Sequence, residues 1–193
     1  MNKIIIISGL LLMLGCSSDS ITSFENQLSG HYKIVSINST PDADLNNDEL
    51  KSENLFEEIS GLHNTIDGKS ITFYDFNSPE NYMEIRPLKN STNNAKLISI
   101  NFPDQLIGEQ TTEVFYLVQY KNTFTNYSYT TSQNSQQIVL TNNNPEYVEN
   151  GEINSLEYQP NVELVLKLSK KLFDFTDHDW INVNITATYK KVE

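Results

Sequence analysis

The sequence is short of the residues that staple a chain, carry nucleophiles or hold transition metals. A single cysteine, Cys16, occurs in 193 residues. No internal disulfide can form, so stability must come from a hydrophobic core, which a chain of this length can build as one domain. Basic side chains are few: 13 Lys and Arg stand against 25 Asp and Glu, for a net charge of −12. Such a chain is repelled by nucleic acid and by anionic surfaces, and its only basic pairs are Lys170-Lys171 and Lys190-Lys191, which excludes a nucleic-acid partner. The histidines, His31, His63 and His178, have no zinc-ligand spacing. Phosphate loops, dinucleotide fingerprints and Gly-x-Ser-x-Gly elbows are missing, and the adjacent Glu57 and Glu58 read as a solvated helix face, so the chain reads as a non-enzyme.

What is present begins at the N-terminus. Lys3 is followed by Ile4 to Ile7 and Leu10 to Leu14, an apolar run of roughly ten residues with a basic head. That is the layout of a signal peptide, too short to span a bilayer. A lone cysteine is a buried filler, a reactive thiol or a point of attachment. Because Cys16 closes an apolar leader and is followed at once by Ser-Ser-Asp-Ser, attachment is the reading the residues favour.

The stretch Met13-Leu14-Gly15-Cys16 resembles the lipobox of bacterial lipoproteins. The resemblance implies cleavage before Cys16 and a diacylated cysteine anchored in a membrane. Ser17, where inner-membrane lipoproteins of enteric bacteria tend to carry Asp, implies the outer membrane, facing the periplasm or the cell surface. On this reading residues 1–15 are a signal peptide, 16–27 a lipidated cysteine and flexible tether, and 28–193 one domain. Phe24 and Leu28 are the first residues expected to dock. The mature chain has 178 residues and a net charge of −13.

The domain is patterned as strands. In Val162 to Leu168 and in Trp180 to Lys190, apolar residues alternate with polar ones, as in half-buried antiparallel strands. Weaker alternation marks Tyr32 to Ile37, Ser70 to Phe76, Tyr82 to Arg86, Leu97 to Phe102, Glu113 to Tyr120, Tyr127 to Thr131 and Gln136 to Thr141. Turn formers such as Asn77-Ser78-Pro79, Pro103-Asp104, Asn122 and Asn142 to Pro145 separate them. Residues 142–161 read as an exposed acidic loop. Nine short strands at regular spacing predict an all-β barrel or a β-sandwich. Residues 48–60 depart from the pattern: Leu55, Ile59 and Leu62 fall at helical spacing, Asp48 or Ser52 can cap the start, and Gly61 supplies a stop, predicting one short helix after the first strand.

Leu28-Ser-Gly30-His-Tyr32-Lys-Ile34, then Asp44-Leu-Asn46-Asn-Asp48, then Ser52-Glu-Asn54-Leu55 and Glu57-Glu58-Ile59, resemble the N-terminal half of lipocalin-like lipoproteins of Bacteroidota. Tyr32 stands where that pattern has Trp, and Glu49 where it has Gly. The resemblance implies an antiparallel barrel of about eight or nine strands with a cavity for a small apolar molecule.

Two candidate sites follow. Tyr116 and Tyr120, and Tyr127 and Tyr129, are spaced to share one face of their strands. They either line a cavity for a small apolar or carbohydrate ligand or pack a solid core, in which case the domain works as an interaction protein, for instance beside an outer-membrane complex. Counted from Asp42, the residues Asp42, Asp44, Asn46 and Glu53 fall at positions one, three, five and twelve, the spacing of oxygen ligands in a calcium loop. The alternative is an Asp/Asn-rich turn that leads into the helix.

Overall fold

The computed structural model describes residues 24–60, 63–66, 69–72, 74–88, 92, 95–111, 114–132, 137–141, 151–159, 161 and 163–192. Cys16, the leader and the turn at Asn142 to Pro145 lie outside them.

The elements in chain order are β1 (Gly30–Ala43), β2 (Ser52–Asn54), α1 (Leu55–Ser60), β3 (His63–Ile66), β4 (Lys69–Thr72), a 3₁₀ turn (Pro79–Asn81), β5 (Met83–Ile85), β6 (Leu97–Thr111), β7 (Val114–Thr131), β8 (Gln137–Leu140), β9 (Glu152–Gln159), β10 (Glu163–Asp174) and β11 (Asp179–Lys191). From β5 to β11 each strand pairs antiparallel with the next, and β1 pairs with both β5 and β11. Eight strands therefore close into an up-and-down barrel, which removes both sheet edges. A sandwich is excluded by the β1–β11 ladder, which runs from Tyr32↔Lys191 to Thr40↔Asn184. β2 is an extra strand on β1, and β3–β4 is a separate hairpin.

Alternation places the core. On β11, Val183, Ile185, Ala187 and Tyr189 are buried, while Asn182, Asn184 and Thr186 are exposed. Ile181, expected in the same buried row, is half-exposed because it lies close to the hairpin tip. Leu164, Leu166 and Leu168 of β10, Ile98 and Ile100 of β6, and Tyr32, Ile34 and Ile37 of β1 fill the same interior. Val183→Ala, which opens a cavity in this interior, should cost about 2 kcal/mol, whereas Asn184→Ala should stay within about 0.5 kcal/mol, because its hydrogen bond with Ser169 lies in water. Urea unfolding of the two variants checks this; equal losses would mean that β11 does not present these faces.

Several sequence expectations are corrected. Asn122 does not break a strand: 114–120 and 127–131 belong to one strand, β7, because fifteen residues of β6 and β7 pair in continuous register with Asn122 opposite Pro103, while Glu113 lies outside the described residues. The turn expected at Pro103-Asp104 is strand for the same reason. The expected loop 142–161 contains β9, whose Leu156 and Tyr158 face the core while β8 and β10 pair with its two edges. Gly151 opens β9 at φ +82°, where a Cβ would come within 2.6 Å of the Ser169 carbonyl oxygen, so the glycine is required by the close approach. The helix is only Leu55–Ser60. Ser52 and Asn54 instead turn the chain into it: Asn54 N–H donates to Ser52 Oγ at 3.0 Å, and Phe56 N–H to Asn54 Oδ1 at 3.1 Å. Tyr74 to Phe76, read as the end of a strand, is irregular; both rings are buried, and Phe56 of α1 packs edge-on against Phe76.

Candidate functional site

Different segments pack at the two ends of the barrel. At the end where β1 begins, residues 24–28 are helical, although 24–27 read as tether in the sequence. Leu28 is fully buried, and the Phe24 ring meets the Tyr158 ring edge-on at 5.5 Å. Tyr32 Oη donates to the Leu28 carbonyl at 2.6 Å, Lys191 Nζ to the Gln27 carbonyl at 2.7 Å, and Glu25 forms an ion pair with Lys96. This short helix is a plug held by strands β1, β9 and β11.

At the opposite end, the 44–51 loop, the β10–β11 turn and the β6–β7 hairpin meet. Asp44 is fully buried, and its carboxylate organises the loop. Oδ1 accepts from Asn47 N–H at 2.8 Å and Asp48 N–H at 3.3 Å, and Oδ2 from Glu49 N–H at 3.2 Å and Thr176 Oγ1 at 2.9 Å. Phe175 N–H donates to the Asp44 carbonyl, and Lys51 Nζ bridges Asp174 at 3.1 Å and Asp177 at 2.7 Å, so loop and turn are bound together. The Leu45 peptide is gripped from both sides: its N–H donates to Glu58 Oε2 of α1 at 2.8 Å, and its carbonyl accepts from Tyr120 Oη of β7 at 2.9 Å. Gln105 completes the joint by pairing both amide atoms with the Phe173 backbone and donating to Tyr120 Oη. Glu57 is exposed as expected, but Glu58, read with it as a solvated helix face, is buried against Leu45; burial, with Asp48 and Asp44 adding to it, raises its carboxyl to about 7 against the opposing N–H groups of Leu45 and Asn46.

The tyrosines proposed from the sequence are placed accordingly. Tyr127 and Tyr129 are both buried and share the barrel interior; Tyr129 Oη donates to the Arg86 carbonyl at 2.7 Å, and burial pushes its phenol up to about 12. Tyr120 is buried in the joint just described. Tyr116 is on β7, but its side chain lies outside the described residues. Two interior hydroxyls, of Ser39 and Tyr189, have no hydrogen-bond partner among the described residues.

Of the proposed calcium ligands, Asp42 and Glu53 are exposed, Asp44 accepts from the N–H groups of Asn47, Asp48 and Glu49 and from Thr176 Oγ1, and Asn46 Nδ2 and Oδ1 engage Asp48. Among the described residues no three His, Cys, Asp or Glu side chains converge as a metal site. The geometry is that of an Asp-organised turn.

One groove stands apart from both ends. It holds about 330 Å³ between β8 and β9 and is lined by residues 137–140 and 153–157. It forms because the two strands pair only at Gln137↔Glu157 and Ile138↔Leu156 and part beyond, where β9 also shifts register against β10. Its walls mix Val139, Leu140 and Ile153 with Asn154, Ser155 and Glu157.

No family model, no curated protein and no solved structure matches the chain.

Proposed function

We propose that this chain is a lipoprotein of the bacterial cell envelope, anchored in the outer membrane through Cys16, whose lipocalin-like barrel is a non-enzymatic module that acts on a protein partner through its outer surface. The observation that carries the choice of a protein partner is the use made of the interior tyrosines. Tyr120 and Tyr129, expected to line a cavity if there were one, give their hydroxyls to backbone carbonyls, and among the described residues the chain's own segments pack at both barrel ends. Small barrels packed by their own side chains leave recognition to the outside. The anchoring half of the reading rests on the lipobox-like stretch. It is tested by expressing the chain in a Gram-negative host: the wild type is expected in the membrane fraction, shortened by its leader and carrying acyl mass, and Cys16→Ala as a longer, unacylated precursor. A Cys16→Ala protein processed and located like the wild type would overturn it.

A second reading, binding of a small apolar or carbohydrate ligand, is favoured by the Tyr189 and Ser39 hydroxyls, which lack a partner among the described residues, and by the β8–β9 groove, whose volume falls at the lower end of the range for ligand sites. Native mass spectrometry separates the two readings: a retained small molecule supports the ligand, and a bare protein mass supports the filled module.

A further inference from the structure

We propose that the barrel end formed by the 44–51 loop and the β10–β11 turn is a docking surface for a basic, apolar segment of a partner protein; this deepens the surface-acting reading above and rests on it. Three large apolar side chains stand out of this end: Leu50 at 68% exposure, Trp180 at 43% and Leu106 at 41%. They are tied to one hydrogen-bonded unit. Leu50 precedes Lys51, which bridges Asp174 and Asp177; Leu106 follows Gln105, whose amide grips Phe173; and the Trp180 ring packs edge-on at 5.7 Å from the Phe173 ring. The loop that exposes Leu50 is not slack. Asp44 holds Asn47, Asp48 and Glu49 by their N–H groups.

Backbone strain points to the same place. The described residues other than glycine with positive φ are Asn47 at 63°, Glu49 at 67° and His178 at 55°. Glu49 immediately precedes Leu50, and His178 stands two residues before Trp180. For Glu and His this conformation is costly, and such cost is tolerated where the surrounding structure fixes a side chain in place.

Charge selects the occupant. Exposed Asp48 and Glu49 precede Leu50 in the loop, and exposed Asp177 and Asp179 precede Trp180; of the cations beside them, Lys51 is committed to Asp174 and Asp177, and Lys171 is exposed on β10 opposite Asn182. An aromatic anchor on a rigid support inside a predominantly acidic rim has the anatomy of a protein interface, and it is complementary to a partner carrying Lys or Arg around apolar residues.

Trp180 is the only tryptophan in the chain, so its fluorescence reports on this surface alone. The mature acylated protein in detergent is titrated with a short synthetic peptide of alternating lysine and leucine. Its glutamate-leucine counterpart and phosphatidylcholine vesicles serve as the other arms. A saturable blue shift with the lysine peptide only is expected, weakening as salt rises. Glu49→Gln with Glu53→Gln should weaken binding about fivefold together, and Leu50→Ser should weaken it while Val35→Ser, on the exposed face of β1, does not. Four results would overturn the proposal: no shift, equal binding of both peptides, equal effects of the Leu50 and Val35 variants, or a shift reproduced by the vesicles, which would name lipid in place of protein. An acylated, correctly processed protein whose Trp180 ignores the lysine peptide loses this surface while the anchored-barrel reading stands; an unprocessed wild type fails that reading itself.

Discussion

Asp44→Ala is expected to lower the melting temperature by about 10 °C, from a loss of about 4 kcal/mol. Asp44 is fully buried, and its two oxygens accept from the N–H groups of Asn47, Asp48 and Glu49 and from the Thr176 hydroxyl. Bonds to an ionised acceptor are stronger than neutral ones, and alanine would leave their donors to whatever water can enter. It would also release the link between the 44–51 loop and the β10–β11 turn, so the damage should reach both. Asp44→Asn, which keeps one acceptor oxygen, should recover part of the loss. Thermal melts with and without millimolar calcium decide between the two accounts of this stretch. An organising turn predicts the same loss in both, whereas a calcium site predicts a metal-dependent gain in the wild type that the alanine variant lacks. A loss under about 1 kcal/mol would remove Asp44 from its place as organiser of this end.

The second large effect is a dependence on pH of the less common sign. Glu58 is buried, its folded-state carboxyl is raised to about 7, and its ordinary value is 4.5. Between those values the folded protein holds a proton that the unfolded chain has released. The group's stabilising contribution is therefore fully present below about pH 4.5 and is lost as pH rises through 7. The groups facing it are Asp44 and Asp48 from the loop and Tyr120 from β7, all of which resist a second negative charge. A shift of this size corresponds to about 3 kcal/mol. Glu58→Gln cannot ionise and can still accept from Leu45 N–H, so it should match the wild type near pH 5 and exceed it by about 2–3 kcal/mol near pH 8. Urea unfolding at the two pH values gives the difference directly. A constant difference between the two proteins across that range would mean that Glu58 is ionised throughout.

The strands with buried apolar residues at every second position were legible in the sequence, as β10 and β11 illustrate. What hid the rest was polar chemistry doing the work of strands. β7 carries Asn122, Thr123 and Thr125, and its continuity comes from fifteen paired backbone positions on β6, which composition does not report. β9 hides its core contribution, Leu156 and Tyr158, among Glu152, Asn154 and Glu157. The 42–53 stretch was legible as an ordered Asp/Asn turn, but two carboxylates of similar appearance received opposite tasks. Asp44 was buried as the organiser while Asp42 was left in water, a division set by contacts with Thr176 and Phe175 more than 130 residues away in the chain. The tyrosines were legible as inward-facing; whether they faced a void or one another depended on the plug and the Gln105 joint, both long-range.

The plug has a mechanical consequence. If Cys16 is fixed in a membrane, any pull on the barrel enters the protein through residues 24–28 before it reaches β1. The plug is held by separate attachments, the Glu25–Lys96 ion pair, the Phe24–Tyr158 contact, the Lys191 bond to Gln27 and, last and deepest, buried Leu28 with the Tyr32 bond to its carbonyl, which can let go one after another. β1 is flanked along its length by β11, and near its start also by β5, so pulling it out would shear many ladder bonds at once. Tension should therefore peel the plug while the barrel stays closed. The first turn of the domain would act as a yielding link, lengthening the tether under load and reseating when the load is gone.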